Sequence, residues 1–289
     1  MNGKDTTMRM FLITLITLLT IPTLLFAADL KLPDDLKAEA TIIRGEREQM
    51  WEKTLVVRFP ERRRTLSTYD GLVDALAAMN HSANPLLWAR VNDSFMGKAG
   101  RGGKSYTEFI HERTARSLKL NTTDITKMAT AADLDNLAMV TKEFGPLTVT
   151  VLVTAGARGN AVRTGVDQGN NIEGQEPHGT INVMLLTNAR LTDGAMARAI
   201  VTVTEAKTAA LQDLNVPSSY TKNVQATGTG TDSVIVVSGT TGPRASYAGG
   251  HSKLGELIGK ATHEAVIEAL GKQNGFRLPT AHIAQTKTP

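Results

Sequence analysis

The sequence predicts an α/β or α+β fold in which one mixed β-sheet is covered by long helices. Apolar, β-branched runs alternate with amphipathic runs of about 18 residues in the second half of the chain, which is typical of strands alternating with helices. Neither an internal repeat nor a Pro/Ser-rich linker divides the 289 residues, so a single domain is favoured. The alternative arrangement is an αββα layered sandwich.

The first 27 residues have the layout of a secretory signal peptide. Lys4 and Arg9 precede an apolar run over residues 10–26, and Ala27-Ala28 follows as a small-residue cleavage site. Membrane anchoring by an uncleaved signal is the alternative, because ~17 apolar residues lie at the lower edge of what spans a bilayer. We therefore expect an exported, periplasmic protein made of one domain over residues 28–289.

Composition excludes several classes of chemistry. The chain has no cysteine, which excludes disulfides, a cysteine nucleophile and a thiolate metal site. The formal net charge is only +4 and aromatic residues make up 4% of the chain. The basic triplet Arg62–Arg64 has no aromatic residues interleaved with it, whereas a nucleic-acid surface needs a basic stripe or stacking aromatics. We expect no nucleic-acid partner.

The first half of the chain gives three local predictions. Lys53–Phe59 has the β-branched centre of a strand, which Pro60 is expected to end. Gly71–Met79 and Ser105–Leu118 have helical patterns of apolar residues. The glycine-rich segment Arg90–Lys104 is expected to be a loop, and its spacing does not match a phosphate-binding loop.

The second half predicts three strands and two helices. The strands are Leu147–Thr154, Thr180–Leu186 and Ser233–Val237, and the helices are Ala195–Leu214 and Lys253–Leu270. Thr192 and Asp193 are candidate N-cap residues of the first helix. Gly271 is expected to end the second helix.

At ~100° of rotation per residue, the helix predicted at 195–214 has an apolar stripe along one face, and Lys207 interrupts this stripe. A core-facing ammonium is costly unless it is paired or its stem alone is buried. Lys207 therefore either extends to the rim of the core or reaches a polar site at the end of the sheet. Glu205 lies nearly opposite on the helix, so the two do not pair; it is a candidate substrate-binding residue or a surface residue.

Three segments combine glycine with hydroxyl or histidine side chains where a strand or helix begins. They are ATGTGTD (226–232), HGTIN (178–182) and GGHSKLGE (249–256). Glycine lets backbone amides approach a ligand, threonine adds hydroxyls that donate and accept, and helix N-termini bind carbonyl oxygens. We expect the segments to converge on one polar cleft for a ligand rich in amides or phosphates. An ordinary loop with threonine-capped turns is the alternative for the first segment.

Candidate site residues come mainly from these segments. The substrate-binding candidates are His178, Asn182, Thr227, Gly228, Thr229, Gly230 and Thr231, together with Glu205, and the catalytic candidates are Asp232, His251, Lys207 and Thr180. Of the other histidines, His81 is interpreted as structural and His111 as solvated.

Four ordered blocks resemble the adenosylcobinamide amidohydrolase family over about residues 124–270. The blocks are TAGARGNAVRTGVD, HGTINVMLLTNARLTDGAMARAIVTVTEAKTAAL, ATGTGTDSVIVV and YAGGHSKLGELIG. Upstream, RTLSTYDGLV, MNHSANP and MATAAD resemble the family's amino-terminal blocks more weakly, with Asp70-Gly71 where the pattern has a glycine pair.

The resemblance implies hydrolysis of an amide on the corrin periphery of adenosylcobinamide or cobinamide. The products would be aminopropanol and cobyric acid, used in corrinoid salvage. A cobalt corrinoid is then the substrate and no cofactor is required. This salvage is expected in the cytoplasm, so the predicted export signal is a departure, which makes a corrinoid uptake transporter a candidate partner. An exported corrinoid-binding protein without hydrolytic activity is the alternative function.

Amide hydrolysis needs a nucleophile, a base and a donor to the developing oxyanion. Because the chain has no cysteine, the nucleophile is a hydroxyl or an activated water. No HExxH or GxSxG motif occurs, so a metal site would need assembly from distant segments, and no metal ligands are assigned. In the working hypothesis Asp232, His251 or Lys207 transfers the proton, while Asn182 and the amides of the 227–231 loop hold the carbonyl.

A second hypothesis makes Thr180 the nucleophile. In this version the chain is first cleaved between Gly179 and Thr180, which leaves the free amine of Thr180 as the base next to its own hydroxyl.

Overall fold

The computed structural model describes residues 26–95, 102–169 and 179–279. These residues form four helices, α1 (Pro85–Phe95), α2 (Gly102–Leu118), α3 (Asp193–Asp213) and α4 (Lys253–Asn274). Their strands are β1 (Phe26–Leu30), β2 (Glu39–Arg47), β3 (Met50–Ser67), β4 (Gly71–Ala83), β5 (Ile125–Thr130), β6 (Ala138–Phe144), β7 (Leu147–Ala155), β8 (Ile181–Thr187), β9 (Arg190–Leu191), β10 (Ser233–Val237) and β11 (Arg244–Ala245).

The predicted signal peptide lies almost wholly outside the described residues. Of its 27 residues only Phe26 and Ala27 are described, and they pair with Arg44 and Ile43 in β2. Within the three described ranges, none of the helices has the length and apolar character needed to cross a membrane.

In the described part of the chain, nine strands form one mixed sheet. Its order is β1-β2-β3-β10-β8-β7-β6, with β4 beside β3 and β5 beside β4. The pairs β10–β8 and β4–β5 are parallel. Along β3, residues 52–58 pair with β2 and β4, whereas residues 65–67 pair with β10 and β4. The register shifts between Arg58 and Arg63, and the sheet curls so that β4 and β5 face β7 and β8.

Three apolar clusters define the layers. Helices α3 and α4 pack on the outer face of β6–β8 and β10, in a cluster that includes Val151 and Ile258. A second cluster, which includes Met128 and Leu152, fills the space between the two halves of the curled sheet. A third cluster places α1 and α2 against β3 and β4 around Met79. The mixed α/β, single-domain prediction is confirmed, and the layer order is the αββα alternative.

Most predicted elements of the second half are confirmed. The three strands correspond to β7, β8 and β10, and the two helices to α3 and α4. Thr192 caps α3, since its side chain accepts a hydrogen bond from the amide of Ala195. Helix α4 continues through Gly271 to Asn274, and Gly275 ends it with φ of 74°. A glycine with an ordinary helical φ does not end a helix, so the prediction that Gly271 ends α4 is wrong.

Three predictions in the first half need correction. Gly71–Met79 is part of strand β4 rather than a helix, because its fully buried alanines pack between sheet layers and helices and its backbone pairs with β3 and β5. Pro60 does not end β3, because it lies in the register shift, where no ladder hydrogen bond is needed. The segment expected to be a loop, Arg90–Lys104, contains the end of α1 and the start of α2, and residues 96–101 lie outside the described ranges.

Candidate active site

The centre of the candidate site is an ion pair between Lys207 of α3 and Asp232, which lies just before β10. The side chains of the two residues are only 9% and 14% exposed. The Asp232 carboxylate also accepts hydrogen bonds from the amides of Ile181 (2.9 Å) and Thr229 (3.2 Å) and from the Thr229 hydroxyl. Such pairing offsets the desolvation of buried charges. Of the two explanations for Lys207, the second is confirmed: its ammonium reaches a polar site at the end of the sheet.

Gly228 lets the 226–232 loop close around this pair. A β-carbon on Gly228 would lie 2.5 Å from Asp232 Oδ2 and 2.8 Å from Lys207 Nζ. Gly230 has φ of +75°, which favours glycine. The two glycines therefore allow close approach of the 226–232 loop to a lysine of its own chain.

The threonines of the same loop bind groups of the chain itself. The Thr227 hydroxyl lies 3.3 Å from the Val162 carbonyl oxygen, and the Thr229 hydroxyl donates to Asp232. The Thr231 hydroxyl donates to the Gly179 carbonyl oxygen at 2.8 Å. These hydroxyls therefore bind groups of the surrounding turns, as the alternative of an ordinary loop with threonine-capped turns predicts.

The second Gly/Thr segment lies against this loop, as predicted. The Thr180 hydroxyl donates to the Thr231 carbonyl oxygen at 2.8 Å, and the Asn160 side-chain amide donates to the Gly179 carbonyl oxygen at 2.7 Å. The amide of Gly156 donates to the Thr180 carbonyl oxygen at 2.9 Å. Residues of the AGARGN turn therefore complete the cluster. His178 lies outside the described residues.

Asn182 lies inside the curled sheet. Its Nδ2 atom donates to Asn80 Oδ1 at 2.9 Å and to the Ala129 carbonyl oxygen at 3.0 Å, and Asn80 in turn donates to Thr154 Oγ1 at 2.9 Å. Asn182 is 1% exposed. Its amide joins the start of β8 to β4 and β5 and is engaged within the protein.

The third Gly-rich segment does not converge with the other two. The last residue of α4, Asn274, accepts a hydrogen bond from the amide of Ala157, next to the cluster, whereas Ser252 caps the start of the helix. A helix of 22 residues is ~33 Å long at ~1.5 Å per residue. His251 is exposed just before Ser252 and lies at the far end of the sheet.

The expectation of one cleft formed by all three segments is therefore wrong for the segment around His251. A glycine pair before a helix indicates where the helix begins but not at which end of the sheet. Glu205 is exposed on α3, so the structure does not bring it into the cluster with Lys207.

An open pocket of about 470 Å³ lies where α2 meets the first residues of β4 and β5. It is lined by Asp70, Val73, Glu108, His111, Glu112, Thr122, Thr123, Ile125 and Lys127. Its floor is ordered by Asp70, whose carboxylate pairs with Lys127 Nζ at 3.0 Å and accepts hydrogen bonds from the Thr126 hydroxyl and the Lys127 amide at 2.8 and 3.0 Å.

His111 is a wall of this pocket and is buried, so its interpretation as a solvated residue is wrong. Its Nε2 atom donates to the Ile125 carbonyl oxygen at 2.9 Å. Burial, followed by the positive charge of Lys127, holds the pKa of His111 below its usual range. No spacing pattern in the sequence indicates this pocket, because its residues come from three separate segments.

The turn between β3 and β4 connects the pocket to the ion-pair cluster. Thr68 exchanges two hydrogen bonds of 3.0 Å with Val234, its amide donating to the carbonyl and its hydroxyl accepting from the amide. Val234 follows Asp232 by two residues, and Asp70 follows Thr68 by two. Within the described ranges, no group of three or more His, Asp or Glu side chains is placed to hold a metal ion.

The protein is an α/β protein whose curled mixed sheet lies between helical layers. A hydroxyl, an ammonium and a carboxylate group cluster at one end of this sheet, and such groups are suited to acid–base and nucleophilic chemistry. The family model described as adenosylcobinamide amidohydrolase matches residues 37–278. The chain belongs to this family, which confirms the resemblance carried by the four sequence blocks.

Two curated relatives and one solved structure are similar to this chain. The uncharacterized protein MJ1613 of Methanocaldococcus jannaschii is 39% identical over 240 residues, which cover 78% of this chain and 89% of the relative. The adenosylcobinamide amidohydrolase of Methanosarcina mazei is 31% identical over 172 residues, covering 56% of this chain and 72% of the relative. The crystal structure of the PH0078 protein from Pyrococcus horikoshii OT3 aligns with a TM-score of 0.40 and 13% identity, covering 81% of this chain and 84% of that one, too low a score to support an argument.

Proposed function

We propose that this chain hydrolyses the amide that joins aminopropanol to the corrin periphery of adenosylcobinamide, releasing aminopropanol and cobyric acid for corrinoid salvage. The observation that carries the proposal is the clustering, inside the family match at 37–278, of the Thr180 hydroxyl with the Lys207–Asp232 pair. A family relative of 31% identity that bears this activity in its name supports the same reaction class.

The groups of the cluster divide the work of amide hydrolysis. Thr180 Oγ1 bonds to the carbonyl carbon, the carbon–nitrogen bond breaks, and the hydroxyl proton ends on the leaving amine. Water then hydrolyses the resulting ester, which releases cobyric acid and restores the Thr180 hydroxyl. The ammonium of Lys207 stabilises the developing negative charge or protonates the leaving amine. Asp232 accepts from three donors besides Lys207, so it acts as a positioning residue that holds the lysine and the start of β8.

Substrate recognition falls to the neighbouring open pocket. A corrin is ringed with carboxamides, and the pocket offers carboxylate and hydroxyl groups from Asp70, Thr122 and Thr123 that hydrogen-bond such amides. Thr180 is only 6% exposed. We therefore expect the narrow amide arm of the substrate, rather than the ring, to enter the cluster while the ring stays in the open pocket.

Export of the chain is part of the proposal. The signal-peptide pattern of residues 1–27 supports an exported protein that trims corrinoids before a transporter takes them up. Sequencing the amino terminus of the protein from its native compartment tests this. A terminus at Ala28 or nearby supports export, and retention of the residues before Met10 with the protein in the cytoplasm contradicts it.

Purified protein incubated with adenosylcobinamide tests the activity. We expect aminopropanol and cobyric acid in equal amounts, measured by mass spectrometry. The engagement of the Asp232, Thr229 and Thr231 side chains within the protein favours a second candidate, a corrinoid carrier without hydrolysis. Corrinoid binding without product would identify the carrier, and no change in corrinoid absorbance or in the thermal midpoint would contradict both functions.

A further inference from the structure

The carbonyl oxygen of Gly179 is held by two side chains. Asn160 Nδ2 donates to it at 2.7 Å and Thr231 Oγ1 at 2.8 Å. Gly179 itself has φ of +125°, and a β-carbon there would lie 3.0 Å from the Asn160 β-carbon and 3.1 Å from the Gly156 carbonyl oxygen. Two donors that converge on one carbonyl oxygen form the arrangement that stabilises an oxyanion.

The residue that follows this carbonyl carries a hydroxyl. Thr180 is 6% exposed, and its Oγ1 atom lies 2.8 Å from the Thr231 carbonyl oxygen and 3.3 Å from Asn182 Oδ1. Thr231 therefore contacts both sides of the Gly179–Thr180 peptide bond, through its hydroxyl on one side and its carbonyl on the other. One loop residue fixes the positions of the carbonyl and of the hydroxyl.

The Lys207–Asp232 pair adjoins the same bond. Asp232 Oδ1 accepts the hydrogen bond of the Ile181 amide at 2.9 Å, one residue after Thr180. The Lys207–Asp232 pair is thus linked to the residue that follows Thr180. The Thr180 hydroxyl and the two donors to the Gly179 carbonyl oxygen supply the nucleophile and the oxyanion site that an acyl transfer needs.

We propose that the chain cleaves its own Gly179–Thr180 peptide bond. Thr180 Oγ1 bonds to the Gly179 carbonyl carbon, the carbon–nitrogen bond breaks, and the hydroxyl proton ends on the nitrogen as it becomes a free amine. Water then hydrolyses the resulting ester, which gives a carboxylate on Gly179 and restores the Thr180 hydroxyl. The free amine next to that hydroxyl is the base for the hydrolase reaction, and this last step alone rests on the proposed function.

Intact-mass measurement and amino-terminal sequencing of the purified full chain test the cleavage. We expect two fragments that stay together on gel filtration, one of which begins at Thr180. The Thr180→Ala variant is expected to remain uncut at this bond, and Thr180→Ser to cleave. Removing one oxyanion donor with Thr231→Val is expected to slow cleavage roughly 10²-fold.

Thr202→Val is the matched control. Thr202 is buried and its hydroxyl donates to the Ala248 carbonyl oxygen at 2.8 Å, which is the same kind of bond on α3 but away from Gly179. It is expected to cleave like the wild type. Circular dichroism and the thermal midpoint establish that each variant is folded.

Two results would overturn the proposal: a folded wild-type chain that stays intact at Gly179–Thr180, or cleavage there in Thr180→Ala at the wild-type rate. The outcome is separable from the hydrolase function. An intact chain that releases aminopropanol disproves the cleavage alone, whereas a cleaved chain that binds corrinoid without releasing aminopropanol supports the cleavage and contradicts the hydrolase.

Discussion

Lys207 on α3 and Asp232 before β10 form a shielded ion pair, with side chains 9% and 14% exposed. Through the carboxylate, the pair also holds the amides of Ile181 and Thr229. It therefore joins a helix, a loop and the start of a strand at one end of the sheet. Burying two charges costs free energy, which their attraction offsets only where hydrogen bonds also satisfy the remaining polar atoms, as they do for Asp232.

Replacement of Lys207 by Met is expected to lower the free energy of unfolding by about 3–5 kcal/mol, because it leaves the Asp232 carboxylate buried without its cation. The double variant Lys207→Met/Asp232→Asn, which removes the unpaired charge and keeps an acceptor for Ile181 and Thr229, should recover part of this loss. Urea unfolding measures both. Glu205→Gln, on the exposed face of the same helix, is the control and should change stability by less than about 0.5 kcal/mol. Equal stability of Lys207→Met and Glu205→Gln would show that the pair contributes nothing.

Gly228→Ala is expected to lower stability by about 1–3 kcal/mol, since the new methyl group overpacks against the ion pair. The pair cannot move aside freely, because Asp232 is also bonded to Ile181 and Thr229. Gly194→Ala is the control, since a β-carbon there meets nothing within 4 Å. Thermal unfolding of the two variants compares them, and a Gly228→Ala protein as stable as Gly194→Ala would contradict the tight approach of the loop.

Stability is expected to fall as the pH drops below about 6.5. His81 is 0% exposed, its Nδ1 atom accepts from the Thr54 hydroxyl at 2.9 Å, and its Nε2 atom donates to the Tyr106 oxygen at 3.1 Å. Burial lowers the pKa of His81 to about 3. As the pH falls below about 6.5, His81 binds a proton in the unfolded chain but not yet in the folded protein. The free energy of unfolding therefore decreases by up to about 1.4 kcal/mol per pH unit.

Urea unfolding between pH 6.5 and about 5.5 measures this effect about one pH unit or more above the ordinary pKa values of glutamate and aspartate. The buried His111, whose pKa is also lowered, contributes a loss of the same sign. In His81→Gln we expect a smaller dependence on pH, whatever the variant's stability at neutral pH. If the free energy of unfolding of His81→Gln depends on pH as steeply as that of the wild type, His81 is not the group responsible.

Asp70→Ala is expected to destabilise the protein by about 1–3 kcal/mol, because the hydrogen bonds from the Thr126 hydroxyl and the Lys127 amide lose their acceptor. Because Asp70 also orders the pocket floor, corrinoid affinity should fall as well. Titration by visible absorbance and thermal unfolding measure the two effects. Asp74→Ala, whose side chain is 56% exposed, is the control. Unchanged corrinoid affinity in a folded Asp70→Ala protein would show that the corrinoid does not bind in this pocket.

Local patterns in the sequence were sufficient for the elements with strong periodicity. The β-branched runs of β7, β8 and β10 and the stripe of α3 were predicted near their observed bounds. Lys207 is conspicuous because it interrupts that stripe, and a polar site at the end of the sheet is one of the two explanations for it. Its pairing with Asp232 was not predictable, since 25 residues separate them and only the fold brings them together.

Long-range pairing explains the predictions that failed. The alanines of Gly71–Met79 favour a helix locally, but their backbone completes β4 between β3 and β5, and this tertiary pairing overrides propensity. His251 was grouped with the cluster because it adjoins glycines, yet the ~33 Å length of α4 separates them. The pocket around Asp70 and His111 is assembled from distant segments and left no local pattern.

The decisive experiment compares aminopropanol release from adenosylcobinamide by the wild type and by Thr180→Ala, with corrinoid binding followed in parallel by visible absorbance. We expect the wild type to release aminopropanol and cobyric acid in equal amounts. Thr180→Ala should fold and bind corrinoid but release aminopropanol at least roughly 10³-fold more slowly. Equal rates in the two proteins, or a wild type that binds corrinoid and releases no aminopropanol, would contradict hydrolysis at Thr180.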